Sequence, residues 1–190
     1  MSNFLIHVLD SNVITSYGMP CCIGEIQIGK FKEAFEMPLE YWTIADYQKQ
    51  WKAGIERIKT YNQSYLVAEL QDPNQAPRAV LWVFYKEGDK IYIQNHMLFR
   101  KRFINLLKKR PFTAETCYEF ISPRETMSGE DPISEWVIDL INLTFLDTKY
   151  HGQPKRKEIG RVKEALVDYF VYDNEYGSSD ELWQNYSTMI

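Results

Sequence analysis

The chain has 190 residues, 45% of them hydrophobic and 15% aromatic, and a formal net charge of −4. That length can bury roughly 70% of the surface its unfolded chain would expose, so a core can form without disulfide or metal staples. The acidic balance disfavours broad nucleic-acid binding, and no apolar run approaches the ~20 residues of a membrane-spanning helix.

Three cysteines is an odd count and gives no disulfide framework. Cys21 and Cys22 are adjacent and cannot easily bridge each other. Reduced thiols in the cytoplasm are the default for such usage. The N-terminal stretch Met1 to Asp10 lacks a basic start and a small-residue cleavage site. It reads as a first strand and not as a signal peptide.

In chain order, Phe4 to Leu9 alternates loosely as an edge or early strand, and Asn12 to Thr15 is ambiguous. Gly18-Met19-Pro20 is a turn. Ile23, Glu25 and Gln27 then alternate with Cys22, Gly24, Ile26 and Ile28, the pattern of a half-buried strand. Gly29-Lys30 turns the chain into Phe31 to Glu36, a second strand of a meander, which Pro38 stops.

Thr43 to Thr60 is a helix. Thr43 with Asp46 three residues on forms a capping box. Tyr47, Trp51, Ile55 and Ile58 make one apolar stripe, with Lys49, Lys52 and Lys59 mostly off it. Ser64 to Leu70 is the next strand, and Asp72-Pro73-Asn74 a turn.

Arg78 to Met97 reads as a hairpin around Glu87-Gly88-Asp89. In its first arm Val80, Trp82 and Phe84 alternate with Leu81, Val83 and Tyr85, so both faces are apolar. A strand covered on both faces belongs in the middle of a sheet. The second arm puts Ile91 and Ile93 on one face, Gln94 and His96 on the other. Arg100 to Arg110 suits a short helix, and Thr113 to Ile121 a turn followed by a last strand.

From Asp131 the period changes. Asp131 is a candidate N-cap and Pro132 a first helical residue. Ile133, Trp136, Val137, Leu140 and Ile141 follow at helical spacing. A third helix spans about Lys155 to Tyr172, and a short last one passes through Trp183 and Tyr186. Strands lead and helices follow, which defines an α+β domain with an antiparallel sheet. Residues 1–125 carry the sheet and the helix 43–60; residues 126–190 form a helical C-terminal portion packed with it.

No phosphate loop, dinucleotide fingerprint, zinc-protease helix or nucleophile elbow is present. No cofactor or metal is expected. His96 and Cys117 could form a nucleophilic pair, against which stands Cys117 as a small core hydrophobe. Cys21, Cys22 and His7 are poor metal ligands, because adjacent thiolates do not converge on one ion. Glu33 with Glu36, and Glu115 with Glu119, read as solvated faces.

Two charge features stand out. Arg100, Lys101, Arg102, Lys108, Lys109 and Arg110 form a basic patch suited to RNA, an acidic protein or plain solvent. After Lys163 the chain has no Lys or Arg; Asp168, Asp173, Glu175, Asp180 and Glu181 are interleaved with Tyr169, Tyr172, Tyr176, Trp183 and Tyr186. Acids beside rigid aromatics suit docking of a basic protein: the charges speed encounter and the rings supply contact area. Asp168, Tyr172, Asp173, Glu175, Tyr176, Asp180 and Glu181 are therefore the candidate binding residues. A solvated acidic tail is the competing reading.

The order of landmarks Phe31, Phe35, Trp42, Tyr47 and Trp51 continues through the Trp82 strand and Ile91-Tyr-Ile-Gln-Asn95. It ends with Tyr118-Glu-Phe-Ile-Ser-Pro-Arg124 and Ile133-Ser-Glu-Trp136. Over roughly residues 4 to 146 this resembles immunity proteins (CdiI-type) of bacterial contact-dependent growth inhibition systems. The resemblance implies a cytoplasmic, non-enzymatic protein that forms a heterodimer with its cognate CdiA C-terminal toxin domain. Such toxins are often nucleases, including tRNases. Trp51 and Trp136 then read as core and Arg124 as a loop anchor. A small Cys/His hydrolase and an RNA-binding module remain the alternatives.

Overall fold

The computed structural model describes residues 4–72, 78–99, 112–128 and 131–143. The chain divides into two compact units, 1–152 and 153–190, and every described residue lies in the first.

Strands β1 (Phe4–Ser16), β2 (Met19–Ile28) and β3 (Phe31–Pro38) form an antiparallel sheet in that order. Helix α1 (Ile44–Thr60) follows. Strands β4 (Gln63–Leu70), β5 (Arg78–Glu87), β6 (Lys90–Phe99) and β9 (Glu135–Asp139) form a second antiparallel sheet. Between β6 and β9 in sequence, β7 (Met127–Ser128) and β8 (Asp131–Pro132) make a two-residue ladder.

Turn chemistry sets these hairpins. Tyr17 and Gly18 both have positive φ, 49° and 79°, the requirement of a type I′ turn whose twist matches its strands. At the β5–β6 hairpin Glu87 pairs with Lys90, leaving Gly88-Asp89 as the loop. Gly88 sits at φ 59°, where a side chain would be strained.

Strand β5 lies between β4 and β6 and is buried on both faces, as the double apolar pattern requires. One face meets the first sheet: Phe84 meets Phe4 edge-on at 5.5 Å, and Trp82 packs on Phe31 at 5.9 Å. The other face is covered by residues 112–122; Tyr65 stacks on Phe112, and the Tyr85 hydroxyl donates to Ser122 O.

Helix α1 begins with the expected capping box. Thr43 Oγ1 accepts from Asp46 N and Asp46 Oδ2 accepts from Thr43 N. These bonds hold the Asp46 carboxyl below its ordinary pKa. Tyr47, Trp51, Ile55 and Ile58 are all fully buried. The helix closes the edge of β4 with side chains. Gln50 Nε2 donates to Tyr65 O, Val67 N donates to Gln50 Oε1, Trp51 Nε1 donates to Val67 O and Leu70 N donates to the Tyr47 hydroxyl. An open strand edge is a hazard for mispairing, and here a helix does the work of a neighbouring strand. Close approach is possible because Gly54 has no Cβ; one built there would lie 2.6 Å from Tyr65 O.

Two expected elements differ. The helix expected from Asp131 through Ile141 is absent, and Glu135–Asp139 is a strand on the edge of β6 with Ile93 opposite Trp136. Trp136 and Ile138 point inward, Val137 outward, and Ile141 is 87% exposed. A segment this short matches a period of 2 and a period of 3.6 about equally, and a vacant sheet edge decides between them. The strand expected within Thr113 to Ile121 is instead a 3₁₀ turn, Cys117–Phe120. The Thr113 hydroxyl accepts from the amides of Glu115 and Thr116, presetting a turn. The Arg100–Arg110 segment and the helices expected after Lys155 lie outside the described residues, so the observed architecture is antiparallel sheets with one helix.

Candidate functional site

The surface that gathers charge and aromatic area lies where α1 ends beside the β5–β6 hairpin. An open cleft of about 360 Å³ is lined by Arg57, Tyr61, Asn62, Gln63, Tyr85, Lys86, Glu87 and Arg124. Lys86 N donates to Asn62 O, which ties the helix exit to the hairpin. Lys86 Nζ donates to Lys59 O, satisfying one of the free carbonyls at the helix end.

Two arginines define the cleft differently. Arg124 is fully engaged. Its Nε and Nη2 donate to both oxygens of Glu135, Nη1 donates to Glu87, and the guanidinium lies 3.7 Å from the Tyr92 ring centroid. Glu135 is held below its ordinary pKa by the bond from Arg124, which outweighs partial burial. Gln94 Nε2 also donates to Glu135 and to Glu125 O. The group clamps the 121–126 loop and β9 onto β6, so Arg124 is the loop anchor that the resemblance implies.

The Arg57 guanidinium carbon lies over two aromatic rings, 4.1 Å from the Tyr61 centroid and 4.8 Å from that of Tyr118. Among the described residues its Nε meets no hydrogen-bond acceptor. Arg78 and Arg124 are ion-paired, whereas Arg57 has no carboxylate partner among the described residues.

A second polar cluster spans β3, β4 and the start of β5. Arg78 Nη2 is 3.1 Å from Glu69 Oε2. Burial pushes the Glu69 carboxyl up while Arg78 pulls it down. Glu33 is pushed up to about 7, first by burial and then by the charge of Glu69. Glu33 is thus not the solvated carboxylate expected of it; it shares its face of β3 with Phe31 and Phe35. Glu115, by contrast, is an exposed acid bridged to Lys49.

The nucleophile candidates are separated in role. Cys117 is buried, 3.8 Å from Gln50 Nε2, and burial raises its thiol to about 12. A nucleophilic thiol needs the opposite shift. His96 Nε2 lies 3.0 Å from Gln94 Oε1. Burial likewise raises Cys21 to about 11 and Cys22 to about 12. Burial lowers the His7 pKa. No group of three or more metal-ligating side chains forms among the described residues. The docking candidates Asp168, Tyr172, Asp173, Glu175, Tyr176, Asp180 and Glu181, and the basic patch at 100–110, lie outside the described residues.

Sequence reasoning misses Arg57 and Tyr61. The usable signal is Arg57 seven residues after Gln50: two turns apart, both polar, beside an apolar stripe.

These features describe an α+β protein of antiparallel sheets and one helix, with all three cysteines buried and free. A family model described as the CdiI N-terminal domain matches residues 37–145. Immunity protein CdiI of Enterobacter cloacae subsp. cloacae is 32% identical over 119 residues, covering 62% of this chain and 78% of that protein. A chain of the CdiA-CT/CdiI toxin and immunity complex from Enterobacter cloacae aligns with TM-score 0.61 at 28% identity, covering 75% of this chain and 93% of that one. The chain belongs to the CdiI immunity-protein family.

Proposed function

We propose that this protein binds a CdiA C-terminal toxin domain one to one in the cytoplasm and blocks it without catalysing any reaction. Membership of the CdiI family carries the reading, because a relative of 28% identity is described as half of a toxin and immunity complex. The buried, protonated Cys117 agrees with a non-enzymatic role. Among the described residues no helix is long and apolar enough to cross a membrane.

The toxin's class is a nuclease in this reading. Nuclease surfaces that grip phosphates are positive, and an acidic inhibitor occupies that field with no chemistry of its own. Asp168, Tyr172, Asp173, Glu175, Tyr176, Asp180 and Glu181 are the proposed contacts in the basic groove.

The test begins with the gene beside this chain's own: if it encodes a CdiA C-terminal toxin domain, that domain is co-expressed with the protein. Growth should be rescued and the two purified chains should co-elute as a heterodimer. Failure of both, with folded proteins, refutes the proposal. Neutralising Asp173, Glu175, Asp180 and Glu181 together should slow association at low salt; an unchanged rate removes that segment from the interface.

A further inference from the structure

We propose that the cleft at the end of α1 receives a carboxylate side chain of the bound toxin domain, gripped by Arg57. The inference rests on the toxin-binding reading above and names a second contact, opposite in sign to the acidic segment.

Three observations converge. First, Arg57 is placed by two rings: its guanidinium carbon lies over Tyr61 and Tyr118, 4.1 and 4.8 Å from their centroids. A guanidinium oriented by ring stacking has already lost the side-chain freedom that binding would otherwise cost. Second, no carboxylate among the described residues pairs with its charge. Nε is buried with no acceptor among the described residues. Lys86, which also lines the cleft, spends one proton on a carbonyl and keeps its full charge. Third, Tyr61 is 54% exposed. An aromatic standing free beside a charged pocket is the composition of an interface anchor.

The shape selects the ligand. A planar fork matches the two oxygens of one carboxylate. Glu87, 59% exposed at the cleft wall and paired with Arg124, disfavours a run of phosphates more than it disfavours a single carboxylate. The chain's net charge of −4 adds to that repulsion. A protein carboxylate, fixed on a folded partner, is therefore favoured over nucleic acid.

The experiment uses the full-length protein and the neighbouring toxin domain in calorimetric titrations. Arg57→Gln and Arg57→Lys should each weaken binding by about tenfold or more, because lysine restores the charge but not the fork. Lys86→Gln should cost about threefold and reduce the salt dependence. The toxin's Asp and Glu residues are then changed singly to Asn and Gln and combined with Arg57→Gln. One of them must be non-additive with it, since two groups in direct contact couple. Wild-type binding by both Arg57 variants, or additivity with every toxin carboxylate, overturns the inference while the complex itself still forms. Absence of a complex with the unaltered protein refutes the parent reading instead. Arg57-dependent retention of RNA by the isolated protein also overturns the inference, in favour of a nucleic-acid site. Thermal unfolding of each variant separates lost contact from lost fold.

Discussion

Glu33→Gln isolates a carboxyl whose ionisation opposes folding. Its pKa rises from the ordinary 4.5 to about 7 in the folded protein. The native state therefore holds a proton that the unfolded chain has released between those values. Stability must fall as pH rises through that window, because the unfolded state binds fewer protons there. At about 1.4 kcal/mol for each tenfold change, the ceiling is about 3 kcal/mol. The carboxyl keeps some contact with water, so about 2 kcal/mol is the expected loss from pH 4.5 to 7.5. The substituted amide keeps the volume and cannot ionise. Glu69, also raised by burial, gives the same slope in both proteins and largely cancels in the difference. Urea unfolding followed by tryptophan fluorescence at pH 5, 6, 7 and 8 reads the effect. The two proteins should be near equal at pH 5, with the variant about 2 kcal/mol more stable at pH 8. Parallel stability profiles would show that the cluster on β3 and β4 does not disfavour the charged form.

Further predictions concern the second sheet. Arg124→Gln should cost about 1–3 kcal/mol, because it leaves Glu135 half-buried with only Gln94 donating to it. It should also flatten the acid side of the stability profile: the native protein loses this stabilisation as pH falls through the lowered Glu135 pKa, and the variant has little to lose. Val137→Lys should change stability by less than about 0.5 kcal/mol in thermal unfolding, since Val137 faces solvent on β9, whereas Trp136→Ala should cost about 3 kcal/mol. Equal costs would favour a helix over this segment. Gln50→Leu should cost about 3 kcal/mol by urea unfolding, through the buried Tyr65 carbonyl and Val67 amide it leaves unpaired.

Much of the fold is legible in the residues, and the exceptions share a cause. Helix α1 can be read because its cap, stripe and length are all local. Strand β5 can be read because Val80 to Tyr85 is apolar on both faces. Trp136 belongs to the core as expected, but on a strand and not a helix: its partner Ile93 lies 43 positions away, and a five-residue window holds no trace of that pairing. Cys117 is the core thiol that its residue type suggests. Glu33 misleads because a carboxylate reads as solvated by residue type, and what packs over β3 is set by distant residues such as Glu69. The place of Arg57 beside the apolar stripe can be read, but its meaning cannot, since that comes from Tyr118, 61 residues on, and contact at that range is set by the fold.

The cleft and the sheet edge are linked through α1. Gln50 and Arg57 stand seven residues apart, about two turns, so they project from nearly one face of the helix. Tyr118 touches both: its hydroxyl lies 3.3 Å from Gln50 Nε2, and its ring lies beneath Arg57. The glutamine that seals β4 thus also places the ring that orients the arginine. Leucine at position 50 should therefore lower stability and toxin affinity together, through a shifted Tyr118. Arg57→Gln should lower affinity with little change in unfolding, because the stack it abandons is half in water. Tyr118→Phe separates the two roles: it keeps the ring under Arg57 but gives up the hydroxyl bonds to Gln50. If the ring alone matters for the partner, that variant binds nearly as the wild type while losing stability. If affinity falls in proportion to stability across all three variants, the cleft is only a reporter of the fold and not a contact.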